Sequence, residues 1–237
     1  MNSASINRNI SQCLWVDLGQ TDYRRALDLQ LQIVNRKIKD RAWPDMVLSL
    51  EHTPVFTLGR RGGKENLTVS ESFLDQKGIN IIPTDRGGNI TFHGPGQLVV
   101  YPIIDLRMRG FKVVDFVCGM EKVMVKTAGQ WGISAAGDRV NRGVWIGGAK
   151  LGSIGITVRR GISFHGMALN INTDLTPFSW INPCGFDNIV MTSLKKECSR
   201  TIPMEKAREA VFQNFSDIFQ IDMVKEPESC LEKRFSG

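Results

Sequence analysis

The 237-residue chain is 42% hydrophobic and 23% charged, long and apolar enough for the buried core of a single α/β or all-β domain. Arg, Asp, Lys or Gly interrupts every apolar run before the roughly 18 residues a spanning helix needs, and the polar start MNSASINRNISQ lacks the apolar stretch of a secretion signal, so the cytoplasm is the expected compartment. The net charge of +6 is spread over doublets such as Arg24-Arg25, Arg60-Arg61, Arg159-Arg160 and Lys195-Lys196, with no basic tract, which makes neither nucleic acid nor a membrane an expected partner.

Tyr23, Leu27, Leu31, Val34 and Ile38 recur at spacings of four and three, predicting an amphipathic helix capped by Thr21 or Asp22. MVLSL from Met46 and VFTLG from Val55 read as short strands, separated by turn residues around Glu51-His52-Thr53-Pro54 in which His52 is expected to be structural. QLVVYPIIDL from Gln97 is a longer buried strand. A second helical stripe runs through Val113, Val117, Met120, Met124 and Thr127 and holds Cys118, read as a buried, inert thiol. VWIGGAKLGSIGITVRRG followed by ISFHGMALNIN predicts adjacent strands with tight connections. Ala207, Val211, Phe215 and Ile218 form a third helix, entered through Pro203. The fold expected is α/β of the α+β type, a mixed, largely antiparallel sheet flanked by helices. No linker divides the chain, so residues 1–237 are expected to form one domain.

Sixteen of the 23 glycines fall between Gly87 and Gly166, where something requires bare backbone. RGGNITFHGPGQ, Arg86 to Gln97, combines four glycines with Arg, His and Gln in twelve residues. Glycine permits positive φ and lets a ligand lie against the main chain, and a turn alone seldom needs Arg, His and Gln as well. Neither GxGxxG nor GxxxxGK[ST] occurs. In GGAKLGSIG the lone Lys150 stands among small residues in a predicted strand. It is either a surface lysine on a hairpin or a partly desolvated one able to exchange a proton near neutral pH. In INPCGF, Cys184 sits between Pro183 and Gly185. The five cysteines are odd in number and contain no CxxC, which argues against a disulfide framework and a zinc site. A thiol near pKa 8.5 is only about 3% thiolate at pH 7, and a neighbouring ammonium raises that fraction.

RGGNITFHGPGQ, GAKLGSIG, RRGISFHGMALNIN and INPCG, in this order and spacing, resemble the signature segments of the lipoyl(octanoyl) transferases. The resemblance runs from about Trp15 to about Leu194, leaving a C-terminal helix and tail over 201–237. It implies a fold similar to the catalytic domains of biotin protein ligases and lipoate ligases. It implies that Cys184 forms an acyl-thioester and that Lys150 lowers its pKa. It further implies that the acyl substrate meets Arg86, Gly87, Gly88, Asn89, Ile90, Thr91, Phe92, His93, Ser153, Ile154, Gly155, Gly166, Met167 and Ala168. Asn89 departs from the Asp or Gln expected there. The implied donor is octanoyl-acyl carrier protein; the implied acceptors are lipoyl domains of 2-oxoacid dehydrogenases and the glycine cleavage H protein. A monomer without cofactor or metal is expected. Rival readings are an ATP-dependent ligase, a non-catalytic carrier-binding module, and a Cys-His hydrolase with His93 or His165 as base.

Overall fold

The computed structural model describes residues 12–182 and 189–236. The chain opens with Cys13–Thr21 (β1), Tyr23–Lys39 (α1), Met46–His52 (β2) and Val55–Leu58 (β3). Glu71–Gln76 (α2), Asn80–Pro83 (β4), Ile90–His93 (β5), Gln97–Ile103 (β6) and Val113–Gly129 (α3) follow. Next come Ala136–Gly137 (β7), Gly143–Ile146 (β8), Ala149–Arg159 (β9), Ile162–Asn170 (β10) and Val190–Met191 (β11). Leu194–Cys198 (α4), Met204–Phe219 (α5), Met223–Glu226 (β12) and Ser229–Ser236 (α6) complete the order. No helix among the described residues is long and apolar enough to cross a membrane.

Among the described residues a nine-stranded sheet runs β12-β1-β2-β6-β10-β9-β8-β7, with β11 added beside β9. The β2–β6, β6–β10, β10–β9, β9–β8 and β8–β7 pairs are antiparallel, while β12–β1, β1–β2 and β11–β9 are parallel. A three-stranded sheet, β4-β3-β5, stands beside it. The mixed, largely antiparallel sheet expected from the sequence is what forms.

Every residue of β6 is buried, because helices cover both faces of the large sheet. Leu98 and Val100 join Met120, Met124, Val211 and Phe215 of α3 and α5, whereas Val99 and Tyr101 join Ala26, Ile33 and Val34 of α1, the period-two alternation of a strand. The small sheet packs Phe56, Ile90 and Phe92 against Leu74 of α2 and Phe178.

Asp22 caps α1, accepting from Arg24 N at 2.8 Å and Arg25 N at 3.2 Å. The buried face of α1 is Tyr23, Ala26, Gln30, Ile33, Val34 and Lys37, rotated from the predicted stripe, whose Leu27, Leu31 and Ile38 are half-buried. Two polar residues face inward because each has a partner. Gln30 Oε1 accepts from His165 N at 2.8 Å, and Lys37 Nζ donates to Trp43 O at 2.6 Å and pairs with Asp45 at 2.9 Å. Glu51 and His52 end β2 instead of forming a turn. Cys118 is half-buried, not fully buried.

Candidate active site

Residues 59–62 run beside 86–89: Gly59 N donates to Asn89 O at 3.2 Å, Arg60 N to Arg86 O at 3.0 Å and Arg61 N to Gly88 O at 3.0 Å. Across this loop, Gly87 N donates to Ile156 O of β9 at 3.2 Å. The approach is close enough that a Cβ on Gly155 would lie 2.6 Å from Gly87 O. At Gly166 a Cβ would lie 2.0 Å from Val100 O of β6. Bare backbone is required at both positions.

Arg86 is buried and pins the loop to β3. Its Nε and Nη2 donate to Thr57 Oγ1 at 3.1 and 2.8 Å, Nη2 also to Thr57 O at 2.7 Å, and Nη1 to Gly87 O at 3.1 Å. Asn89 Oδ1 accepts from Asn66 Nδ2 at 3.1 Å and from Ile90 N at 2.6 Å, so it too organises the loop.

Loop, β9 and β10 enclose a cavity of about 490 Å³, within the range that holds small ligands. Arg86, Gly87, Gly88, Asn89, Ile90, Thr91, His93, Lys150, Ser153, Ile154, Gly155, Gly166, Met167 and Ala168 all line it. Phe92 does not: its ring lies 5.3 Å from Phe56 and 5.6 Å from Phe178 in the core of the small sheet. Cys184 lies outside the described residues.

Lys150 is 3% exposed, so it is no surface lysine. Its ammonium stands 5.0 Å from the Trp145 ring centroid, a contact favoured electrostatically once water is excluded. β11, whose Val190 stands six positions after Cys184 in the sequence, pairs Met191 with Lys150, and Thr192 N donates to Lys150 O at 2.9 Å.

The sequence holds three histidines and two tyrosines; Tyr23, His93, Tyr101 and His165 line the cavity, and His52 packs against the first three. Tyr23 and His52 rings are 5.0 Å apart, Tyr23 and His93 6.1 Å, His52 and Tyr101 5.8 Å, and Tyr101 and His165 6.4 Å. His52 Nδ1 is 2.9 Å from Thr21 O, a carbonyl, so it carries the proton and Nε2 accepts from Tyr101 OH at 2.7 Å. Burial pushes the His52 pKa down to about 4, keeping the ring neutral. His52 is thus a structural group.

His93 Nδ1 donates to Gln97 Oε1 at 2.7 Å, Gln97 Nε2 to Asn170 Oδ1 at 2.9 Å, and Asn170 Nδ2 to Thr192 O at 3.0 Å. This chain links β5, β6, β10 and the end of β11; burial holds His93 well below the usual imidazole range. His165, at φ +54°, donates Nε2–H to Asp85 Oδ1 at 2.8 Å. Burial lowers its pKa against the opposing pull of Asp85, and the same bond lowers that of Asp85, consistent with a neutral ring on a carboxylate.

Sequence reading missed Tyr23, Arg61, Tyr101, Val117, Val140, Asn141, Arg142 and Met191, which also line the cavity. Tyr23 and Tyr101 read as members of an apolar stripe and strand, and 140–142 fall between predicted elements. Neutral imidazoles, apolar wall residues such as Val99, Ile154, Ile156 and Met167, and one buried ammonium suit an acyl chain with a polar reacting end.

Residues 22–216 match the family described as the lipoyl protein ligase A/B catalytic domain. The chain is 44% identical over 206 residues to an octanoyltransferase of Desulfotalea psychrophila, covering 86% of this chain and 92% of that one. Lipoate-protein ligase A bound with ATP superposes with a TM-score of 0.75 at 16% identity, covering 95% of each chain. Biotin protein ligase of Aquifex aeolicus with biotin and ATP gives a TM-score of 0.52 at 8% identity, over 89% of this chain and 71% of that one. At such identities the two structures establish the shared fold.

Proposed function

Because the chain belongs to the octanoyltransferases of the lipoyl protein ligase A/B catalytic-domain family, we propose that its octanoyl group travels through a thioester on Cys184. The donor is octanoyl-acyl carrier protein. The acceptors are lysines of lipoyl domains in 2-oxoacid dehydrogenases and of the glycine cleavage H protein, and the product feeds lipoate biosynthesis. The Cys184 thiolate attacks the donor's thioester carbonyl and the pantetheine thiol leaves, with backbone amides of the glycine-rich segments supporting the oxyanion. The leaving pantetheine sulfur takes its proton from the Lys150 ammonium, which becomes neutral. The acceptor amine then attacks the acyl-enzyme, an amide forms, the Cys184 thiolate leaves, and neutral Lys150 takes up the proton the amine releases.

The observation that supports this reading is the position of Lys150: buried on the cavity wall and paired with β11, the strand that follows the Cys184 segment in the sequence. An ammonium there favours the thiolate of any neighbouring cysteine. The cavity residues matching the family's acyl-binding segments bury the octanoyl tail, which at about 0.8 kcal/mol per methylene contributes roughly 5 kcal/mol over an acetyl group.

Intact-mass analysis after mixing with octanoyl-acyl carrier protein tests the reading. A gain of one octanoyl unit, localised to Cys184 and absent in Cys184→Ala, is expected, with the circular dichroism of the variant unchanged. Transfer by Cys184→Ala at the normal rate would eliminate the covalent route. Transfer from octanoate and ATP without carrier protein would identify a ligase instead.

A further inference from the structure

Two arginines at the opening of the cavity take no part in the acyl chemistry above. Arg61 lies in the loop bonded to 86–89 and is exposed; its side chain makes no hydrogen bond or ion pair among the described residues. Arg142 precedes β8, and its Nη1 donates to Glu121 Oε2 at 3.2 Å and to Cys118 Sγ at 3.3 Å. Both line the same cavity as Lys150, Arg61 from the side of the small sheet and Arg142 from the β8 edge of the large one.

The loop that carries Arg142 is firmly built. Asp138 Oδ1 accepts from Val140 N at 2.7 Å and Asn141 N at 2.9 Å, and Trp145 Nε1 donates to Asn141 O at 3.0 Å. Glu121 offsets part of the charge of Arg142, while its Oε1 accepts from Gly143 N at 3.1 Å. Among the described residues no carboxylate lines the cavity, so Arg61 and Arg142 leave its opening positive.

A lysine acceptor arrives mostly as an ammonium. The two guanidinium groups favour its neutral, nucleophilic form, yet they also repel it on approach. The repulsion is offset when the acceptor brings its own carboxylates. The stem of a lysine is short, so residues next to it on the acceptor reach the rim as its amine enters. Guanidinium groups bind carboxylates in a bidentate, oriented way, and such pairs select partners and set register. We propose that Arg61 and Arg142 select the acceptor by pairing with carboxylates that flank its target lysine, an inference that rests on the amine-acceptor reading above.

The test separates the two half-reactions, using octanoyl-acyl carrier protein as donor and a lipoyl domain as acceptor, in one form with carboxylates beside the lysine and in one with Asn or Gln in their place. Arg61→Gln is expected to lower kcat/KM for the acidic acceptor about tenfold, to leave the rate of Cys184 acylation unchanged, and to be partly rescued by Arg61→Lys. The neutral acceptor should lose at least that factor with the unsubstituted protein and nothing more with Arg61→Gln. Equal losses on both acceptors would overturn the proposal. So would a slowed acylation step with normal transfer, which would assign the arginines to the phosphodiester of the donor's pantetheine arm. If no acyl-enzyme forms in the unsubstituted protein, the thioester reading fails, and rim selectivity is still decided by comparing overall transfer to the two acceptors.

Discussion

A single methyl group at position 155 would separate the glycine-rich loop from β9, because it would meet Gly87 O at 2.6 Å, a backbone atom that no rotamer change can move aside. Gly155 lies in the middle of β9, where its neighbours Ile154 and Ile156 pack in the core, so the strand itself tolerates alanine. What moves is the 86–89 segment. Gly155→Ala is therefore expected to keep the fold, with a loss of about 1–3 kcal/mol from overpacking, and to lower kcat/KM for octanoyl transfer tenfold or more by misplacing the loop. Steady-state kinetics with the circular dichroism spectrum as control checks this; normal kcat/KM would show that the loop need not lie against β9. Phe92 makes the complementary point. It sits inside the motif but serves the small-sheet core, since residues of a short strand alternate between two environments.

α1 shows what periodicity can and cannot reveal at the scale of an element. Its existence and a cap at Thr21 or Asp22 were legible, because apolar residues recur at helical spacing just after two capping residue types, and the structure makes Asp22 the cap. Its facing was not, because Gln30 and Lys37 occupy inward positions that an apolar count assigns to solvent. Gln30 Oε1 meets His165 N, far away in the sequence, and Lys37 meets Trp43 O and Asp45 just beyond the helix, partners that an apolar count does not register. The Lys37 ammonium and the Arg109 guanidinium meet on Asp45, at 2.9 and 2.5 Å, and Asp45 Oδ1 also accepts from Asp105 N at 3.0 Å. Removing one member of a buried charged group strands the others. Asp45→Ala is expected to destabilise the protein by about 3–5 kcal/mol, read from the urea midpoint. A cost below about 1 kcal/mol would mean that water reaches the cluster. The short strands β4, β5, β7 and β12 escaped sequence reading for a similar reason: two to four residues carry too little pattern, and pairing with distant strands defines them.

The cavity belongs to the whole molecule, since its His93 comes from β5 and its His165 from β10, His52 of β2 packs against His93, and no segment carries more than one of the three. Sequence motifs pointed to His93 and His165, but the grouping of all three depends on the small sheet standing beside the large one. This grouping has a consequence for acid stability. Burial depresses the His52 pKa from 6.5 to about 4, and burial lowers His93 and His165 as well. The unfolded chain thus binds protons that the folded one refuses, so the contribution of these groups is fully present above pH 6.5 and is lost as pH falls toward 4. For His52 alone the loss amounts to about 3 kcal/mol. Urea unfolding from pH 7 to pH 4.5 should show stability falling steadily with acid, and His52→Gln should reduce that slope by about one proton, roughly 1.4 kcal/mol per pH unit. If the variant and the parent lose stability in parallel across this window, His52 is already protonated in the fold and the tautomer that accepts from Tyr101 cannot be the one present.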